Sequence, residues 1–204
     1  GNATRCIADQ LMVERGTDKA VIETLAGNLH AWRAADGNVT VDMGPVQTDW
    51  QAIPLAREMD TLHLDFSMNE LSDPASVNVG NPHVSFFVDD VDAIALETVG
   101  PKIETDPLFP ERINVQVVQL IGPDKIRVRV WERGAGITQA SGSSACATAV
   151  NAHRRGLTGP KVAVVLDGGT ITAEHTSDNR VTQTGAFATS FEGVISESLL
   201  GKEP

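Results

Sequence analysis

The sequence predicts an α+β fold of two pseudo-symmetric halves. Each half reads as a curved, mostly antiparallel sheet around one central helix, and the first half reads as incomplete. Three observations lead there. The chain writes one pattern twice, about 141 residues apart. Each copy runs from a small-residue loop through an amphipathic stretch into three short strands separated by glycine or acidic turns. Strands and helices do not alternate as they would in a doubly wound parallel sheet.

The first copy opens with Gly1-Asn2-Ala3-Thr4-Arg5-Cys6, and its apolar spacing predicts a helix over Thr4–Glu14 closing at Arg15-Gly16. A strand over 20–25, a turn at Gly27-Asn28, a second strand, the acidic turn Asp36-Gly37-Asn38 and a third strand over Val39–Gly44 follow. The second copy opens with Ser141-Gly142-Ser143-Ser144-Ala145-Cys146. Cys146, Ala149, Val150 and His153 fall at helical spacing, so a helix is expected over Ser144–Arg154, ending at Arg155-Gly156. Its strands are Val162–Leu166, one after Gly168-Gly169, and Val181–Gly185 after Ser177-Asp178-Asn179.

Between the copies, strands are expected at Val84–Val88, Asn114–Ile121 and Ile126–Glu132. The last two flank the hairpin signal Gly122-Pro123-Asp124-Lys125. Asp89-Asp90 reads as the cap of a short helix over Asp90–Val99. The second copy has a long stretch ahead of its loop and the first has none. The duplication therefore predicts that roughly sixty or more residues precede Gly1 in the full protein.

Composition narrows the function. The 204 residues carry a net charge of −11 with 41% hydrophobic and 21% charged residues, which suits a packed domain. No basic stripe exists to neutralise phosphates, so nucleic acid and anionic membrane surfaces are poor partners. Arg154-Arg155 reads as a cationic end for its helix dipole. No apolar run reaches the length of a membrane span. Cys6 and Cys146 read as buried free thiols of a cytoplasmic protein rather than a disulfide. His30, His63, His153 and His175 lack metal-ligand spacing, and Asp89, Asp90 and Asp92 lack the pattern of a calcium loop. No dinucleotide fingerprint or phosphate loop is present, so neither a metal nor a cofactor is expected.

The chemistry suggested by the repeat is specific. A small-residue loop at a helix N-terminus presents free backbone N–H groups and a partial positive charge. Two such ends facing one cleft would hold a carboxylate. A thiol just ahead of such a helix has a depressed pKa and can act as base or acid. A pair on opposite faces of one carbon could take a proton from one side and return one to the other, as a cofactor-independent racemase or epimerase does. Taken singly the residues are bland: Ser141 is an ordinary N-cap, His83 a turn histidine, Glu132-Arg133 a solvated strand end, and Asn81 and Asn114 turn residues.

In combination they match a family. Gly1-Asn2-Ala3-Thr4-Arg5-Cys6, Gly80-Asn81-Pro82-His83, Pro107-Leu108-Phe109-Pro110 through Asn114-Val115, Trp131-Glu132-Arg133-Gly134 and Ser141-Gly142-Ser143-Ser144-Ala145-Cys146 resemble, in order and spacing, the motifs of diaminopimelate epimerases. The resemblance covers essentially the whole chain. It implies two domains with substrate between them: residues 1–44 as what remains of domain one, 45–185 as domain two, and 186–204 returning to domain one. It implies an amino-acid substrate, pyridoxal-independent two-base transfer of the α-proton between LL- and meso-diaminopimelate in lysine biosynthesis, and a homodimer. By position, Gly1, Asn2, Asn81, Asn114, Glu132 and Arg133 would bind substrate. Glu132 and His83 would lie near the reacting carbon, and the backbone N–H groups of Gly142 and Ser143 would hold the α-carboxylate.

Two departures stand out. The family's first catalytic cysteine falls immediately ahead of Gly1. Its second falls at 141, where this chain has Ser141. Ala3 also stands where the motif has glycine. A serine hydroxyl supplies no thiolate near neutral pH, so the chain as it stands is expected to turn over little or nothing. Two other functions remain open at this point: an amino-acid-binding relative without catalysis, and a proline-racemase-type isomerase of the same fold.

Overall fold

The computed structural model describes residues 2–24, 27–191, 193–196 and 199. Gly1 and the 201–204 tail lie outside them. In chain order the elements are α1 (Asn2–Arg15), β1 (Lys19–Thr24), β2 (Gly27–Arg33), β3 (Val39–Pro45), β4 (Ser67–Met68), β5 (Leu71–Ser72), β6 (Ala75–Asn78), β7 (Pro82–Phe87), α2 (Leu96–Glu104), β8 (Asn114–Gly122), β9 (Lys125–Glu132), β10 (Gly136–Thr138), α3 (Gly142–Arg154), β11 (Lys161–Leu166), β12 (Gly169–His175) and β13 (Arg180–Gly185).

The repeat is real at the level of hydrogen bonds. Both long helices stop in the same way. At α1 the N–H of Gly16 bonds to Val13 O (3.3 Å) and that of Thr17 to Met12 O (3.0 Å); at α3 Gly156 bonds to His153 O (2.9 Å) and Leu157 to Ala152 O (2.9 Å). Gly16 and Gly156 sit at φ 62° and 67°, the left-handed conformation that this helix end requires and glycine adopts without strain.

Among the described residues the main sheet runs β1-β2-β3-β13-β12-β11-β9-β8-β7-β6, with β10 beside β9. The third strand of one copy therefore pairs with the third strand of the other. Lys19 corresponds to Lys161, Gly27 to Gly169 and Val39 to Val181, so Val41 corresponds to Gln183. Those two residues face each other across the antiparallel β3–β13 ladder, flanked by Thr40–Thr184 and Asp42–Thr182. Equivalent residues pairing with each other is what a local two-fold axis through this ladder produces.

Beyond β11 the second half adds β9, β8, β7 and β6. The β11–β9 and β7–β8 pairs are parallel; the other pairs of the main sheet are antiparallel. These strands close around α3, which touches β6 through β9 on one side and β11 through β13 on the other. The apolar core around it includes Cys146, Val150, Val128, Val164 and Ala173. A second core lies between α2 and the strands β7 and β8, with Phe86, Leu96, Val99 and Ile103 buried. A smaller third core holds Ala8 and Met12 of α1 against Ala31, Val39 and Val41. Phe187, in the segment after β13, packs on this third core with the Arg33 guanidinium over its ring.

The expected elements occur in the expected order and type, and the 122–125 hairpin pairs Gly122 with Lys125 as its turn signal requires; β4, β5, β6 and β10 had no counterpart in the sequence reading. Four local expectations are corrected. The short helix lies at Leu96–Glu104, later than Asp90–Val99. Asp90 closes a turn on its own chain, accepting the Asp92 N–H at 2.9 Å, and caps no helix. Gly100-Pro101 did not stop α2 because Leu96, Val99 and Ile103 all bury against the sheet, and that packing outweighs local propensity. Cys6 is exposed, with no strand among the described residues over the face of α1 that carries it, whereas Cys146 is buried. Arg154 and Arg155 do more than face a helix end: they hold the 61–76 segment through Ser76 O and Thr61 Oγ1, and through Leu62 O and Asp73 O.

Candidate active site

Segments far apart in sequence converge on the first turn of α3. Ser141 is its N-cap, with extended backbone (φ −142°, ψ 114°), and its Oγ accepts the Ser144 N–H at 3.4 Å. The first intrahelical bond is Ala145 N–H to Ser141 O (3.0 Å). The N–H groups of Gly142 and Ser143 are therefore left for a partner outside the helix, at its electropositive end.

The Ser141 hydroxyl donates to Glu132 Oε2 at 3.0 Å. The other carboxylate oxygen, Oε1, accepts from Thr138 Oγ1 at 2.6 Å. Glu132 is thus held on both oxygens at the end of β9, beside the N-cap. Serine at the cap is itself the hydrogen-bond donor that fixes it.

A second line of contacts reaches the same turn through the buried interior. His83 Nε2 lies 2.9 Å from Asn81 Oδ1, and its Nδ1 lies 3.0 Å from Gln116 Nε2. Ser85 Oγ donates to Gln116 Oε1 at 3.3 Å, which leaves Gln116 Nε2 to donate to His83 and, at 3.3 Å, to Ser144 Oγ. His83 therefore carries its proton on Nε2 and gives it to Asn81. Complete burial pushes the imidazole pKa down to about 3, and the charge of Arg133 adds to that, so His83 is neutral across the physiological range. With Oδ1 occupied, Asn81 presents its Nδ2 as the donor end.

Asn114 and Arg133 form a third element. Asn114 Nδ2 donates to Pro82 O (2.8 Å) and its Oδ1 accepts the Arg133 N–H (3.0 Å), so both ends of this buried amide are taken by backbone. These bonds align β7 with the turn after β9 and leave one Nδ2 hydrogen and one Oδ1 lone pair of the amide. The Arg133 guanidinium donates to Glu111 O at 3.0 Å.

On the other copy, Asn2 Oδ1 accepts from Arg5 Nη2 (3.1 Å). Arg5 also donates to Gln183 Oε1 (2.9 Å) and Ala186 O (3.4 Å), tying α1 to β13. Arg5 is near enough to α3 for its charge to oppose the rise that burial imposes on the Cys146 thiol, which still reaches about 12. Gly1 lies outside the described residues. A cleft of about 900 Å³ between α1 and the 187–195 segment contains Cys6 but none of the groups at α3. Among the described residues no three His, Cys, Asp or Glu side chains converge as a metal set.

Sequence reasoning missed Gln116, Ser144, Thr138 and Arg5. Gln116 had a readable signal, a polar residue on the inward face of the otherwise apolar run Val115–Val118. Arg5 and Ser144 lay inside quoted motif segments without being given a role, and Thr138 carried no signal.

A family model described as diaminopimelate epimerase matches residues 75–189, the part of the chain that builds the α3 site. The diaminopimelate epimerase of Rhodospirillum centenum is 50% identical over 200 residues, covering 98% of this chain and 69% of the relative. That of Erythrobacter litoralis is 54% identical over 195 residues, covering 96% and 70%.

The chain belongs to the diaminopimelate epimerase family.

Membership makes it an isomerase by family and accounts for the order of motifs along the chain. Solved structures agree on the fold. A predicted epimerase from Pseudomonas aeruginosa superimposes with a TM-score of 0.60 at 19% identity, covering 89% of this chain and 69% of that one. The probable proline racemase of Agrobacterium radiobacter gives 0.63 at 15%, covering 95% and 66%. Against this family background, position 141 is the chemically telling one, because it holds a hydroxyl at the head of α3.

Proposed function

We propose that this chain recognises diaminopimelate at the α3 N-terminus and is disabled for epimerising it. The reaction inferred for the intact family site interconverts LL- and meso-diaminopimelate without pyridoxal phosphate, in lysine and peptidoglycan-precursor synthesis. One thiolate takes the α-proton from one face, and a thiol on the opposite face returns a proton. The electron pair left on the α-carbon is delocalised into the carboxylate, whose growing charge is met by the free N–H groups of Gly142 and Ser143. Asn81, through Nδ2, and the Arg133 guanidinium supply further polar contacts, with Asn2 approaching from the α1 end. Neutral His83 and Glu132 border the reacting carbon without adding a positive charge there.

The observation that carries this reading is the hydrogen-bonded pair Ser141–Glu132 at the N-cap of α3, 3.0 Å apart, inside the family's motif order. It also carries the loss of turnover: a hydroxyl donating to a carboxylate is held as a donor and is a poor base near neutral pH. The same serine favours a second reading, an amino-acid-binding protein of the cytoplasm that never exchanges the α-proton.

The test is α-proton exchange of LL-diaminopimelate in deuterated water. The chain itself should exchange nothing. A version with a restored N-terminal region and Ser141→Cys should exchange and epimerise. Exchange by the unaltered chain would sink the claim of disablement. Tight binding with no exchange in the restored version would favour the binding protein. A ligand requirement for only one amino-acid end would instead favour a racemase of the proline type.

A further inference from the structure

Glu104, the last residue of α2, is a buried carboxylate that the chemistry above does not use; it is 5% exposed. It reaches across to the end of β9 and the turn that follows, holding one point on each. Its Oε2 accepts the Trp131 indole N–H at 2.7 Å, and its Oε1 accepts the Gly134 backbone N–H at 2.9 Å. Between those points lie Glu132 and Arg133. The Arg112 guanidinium stands 3.6 Å from Oε1 on the outer side. The grip is reinforced by packing. A side chain on Gly100 would have its Cβ 2.7 Å from the Trp131 ring, so α2 rests directly on the indole face and leaves it no room to swing.

We propose that Glu104 is a positioning residue for the site, setting where the Glu132 carboxylate stands relative to Ser141 and the α3 N-terminus. The proposal builds on the reading of that N-terminus as an amino-acid site. The physical argument is one of acceptors. A carboxylate accepts at both oxygens, so it can bracket the turn from both ends at once. A side chain with one acceptor cannot; it must set a donor against either the indole N–H or the Gly134 N–H. The turn then shifts, and Glu132 shifts with it away from Ser141 Oγ and Thr138 Oγ1. Errors of that size at a supporting contact are enough to misplace a binding group.

The experiment compares four chains: the parent, Glu104→Gln, Trp131→Phe, and the double variant. Gln keeps the shape and loses one acceptor. Phe keeps the ring over Gly100 and removes the N–H that would clash with the new amide. Two quantities are read alongside thermal stability: the ¹³C carboxyl resonance of Glu132 at fixed pH without ligand, assigned through Glu132→Gln, and the dissociation constant for LL-diaminopimelate by calorimetry. Glu104→Gln should move the Glu132 resonance and weaken binding about tenfold or more, and the double variant should return the resonance to its position in Trp131→Phe and the dissociation constant to within about threefold of that variant. An unmoved resonance in Glu104→Gln, or a double variant as impaired as that single one, overturns the proposal. If Glu104→Gln fails to fold, Trp131→Phe still decides, because it releases one end of the turn and must displace the Glu132 resonance by itself. Absence of diaminopimelate binding in all four chains, with the resonance moved and then restored, upholds the positioning role and rejects the ligand class.

Discussion

Helices α1 and α3 begin alike in sequence and end with the same pair of hydrogen bonds, yet they live in different surroundings. In α1 only Arg5, Ala8 and Met12 are buried. In α3 every residue from Ser144 to Ala152 is buried, as is Gly142. The difference comes from strands that lie ahead of the second copy in the chain. Three strands back α1 on one side. Around α3 the same three-strand pattern is joined by β6 through β9, and the sheet closes on it. Among the described residues, the same local structure therefore gives one helix, α1, that covers a small core and another, α3, that is enclosed. Its N-terminus meets the polar groups of Glu132, Thr138 and Gln116.

The comparison can be broken most sharply at the cysteines. Cys146 is enclosed and its thiol is pushed up to about 12, whereas Cys6 is exposed. Alkylation of the native protein near pH 8, followed by mass spectrometry, should label Cys6 at least about a thousandfold faster, with Cys146 reacting only on unfolding. Comparable rates would mean that α3 is not enclosed.

The pH dependence of stability comes next, and it should belong to the α3 side. His83 holds its folded pKa at about 3, below the value near 6.5 of an unfolded chain. The unfolded state binds the extra proton, so its contribution is present above about pH 6.5 and is lost as pH falls toward 3, by about 1.4 kcal/mol per unit. Cys146 acts at the other end. Its folded pKa near 12 exceeds the unfolded value, so its contribution is present below about pH 9 and declines toward 12. Denaturant titrations over pH should show the acid limb flattened in His83→Gln and the alkaline limb flattened in Cys146→Ala. Cys6→Ala should leave both limbs in place.

Packing gives a smaller contrast. Val150→Ala, inside the core around α3, should cost about 2 kcal/mol from lost burial and the cavity left behind. Val13→Ala, on the outer face of α1 where the side chain is 68% exposed, should change stability by less than about 0.5 kcal/mol. The cap should lose less than the core does. Ser141→Ala removes the bonds to Ser144 N and Glu132 and should cost about 1 kcal/mol by thermal unfolding.

Much of this was readable beforehand where the signal was local. Gly16 and Gly156 marked helix ends, the 122–125 turn marked its hairpin, and Ser141 marked its cap, because each is decided by backbone conformation within a few residues. The short helix was misplaced for the opposite reason. Asp90 carries the chemistry of a cap but spends it on a turn, and the helix forms where Leu96, Val99 and Ile103 can reach the sheet. Cys6 and Cys146 looked equivalent because the repeat is equivalent; burial depends on strands contributed from elsewhere.

The same division runs through the site. By itself the sequence determined the motif segments, the duplicated unit and the hydroxyl at 141, since residue identity and spacing along the chain are all these require. Only the tertiary structure decided that His83 is neutral, that Glu132 is held on both oxygens, that Asn114 is bonded to backbone at both ends and that Glu104 grips the turn. Those properties arise from burial and from hydrogen-bond partners on other elements, some about thirty residues away as for His83–Gln116 and Glu104–Gly134, and the fold alone brings such groups within 3 Å or so of each other.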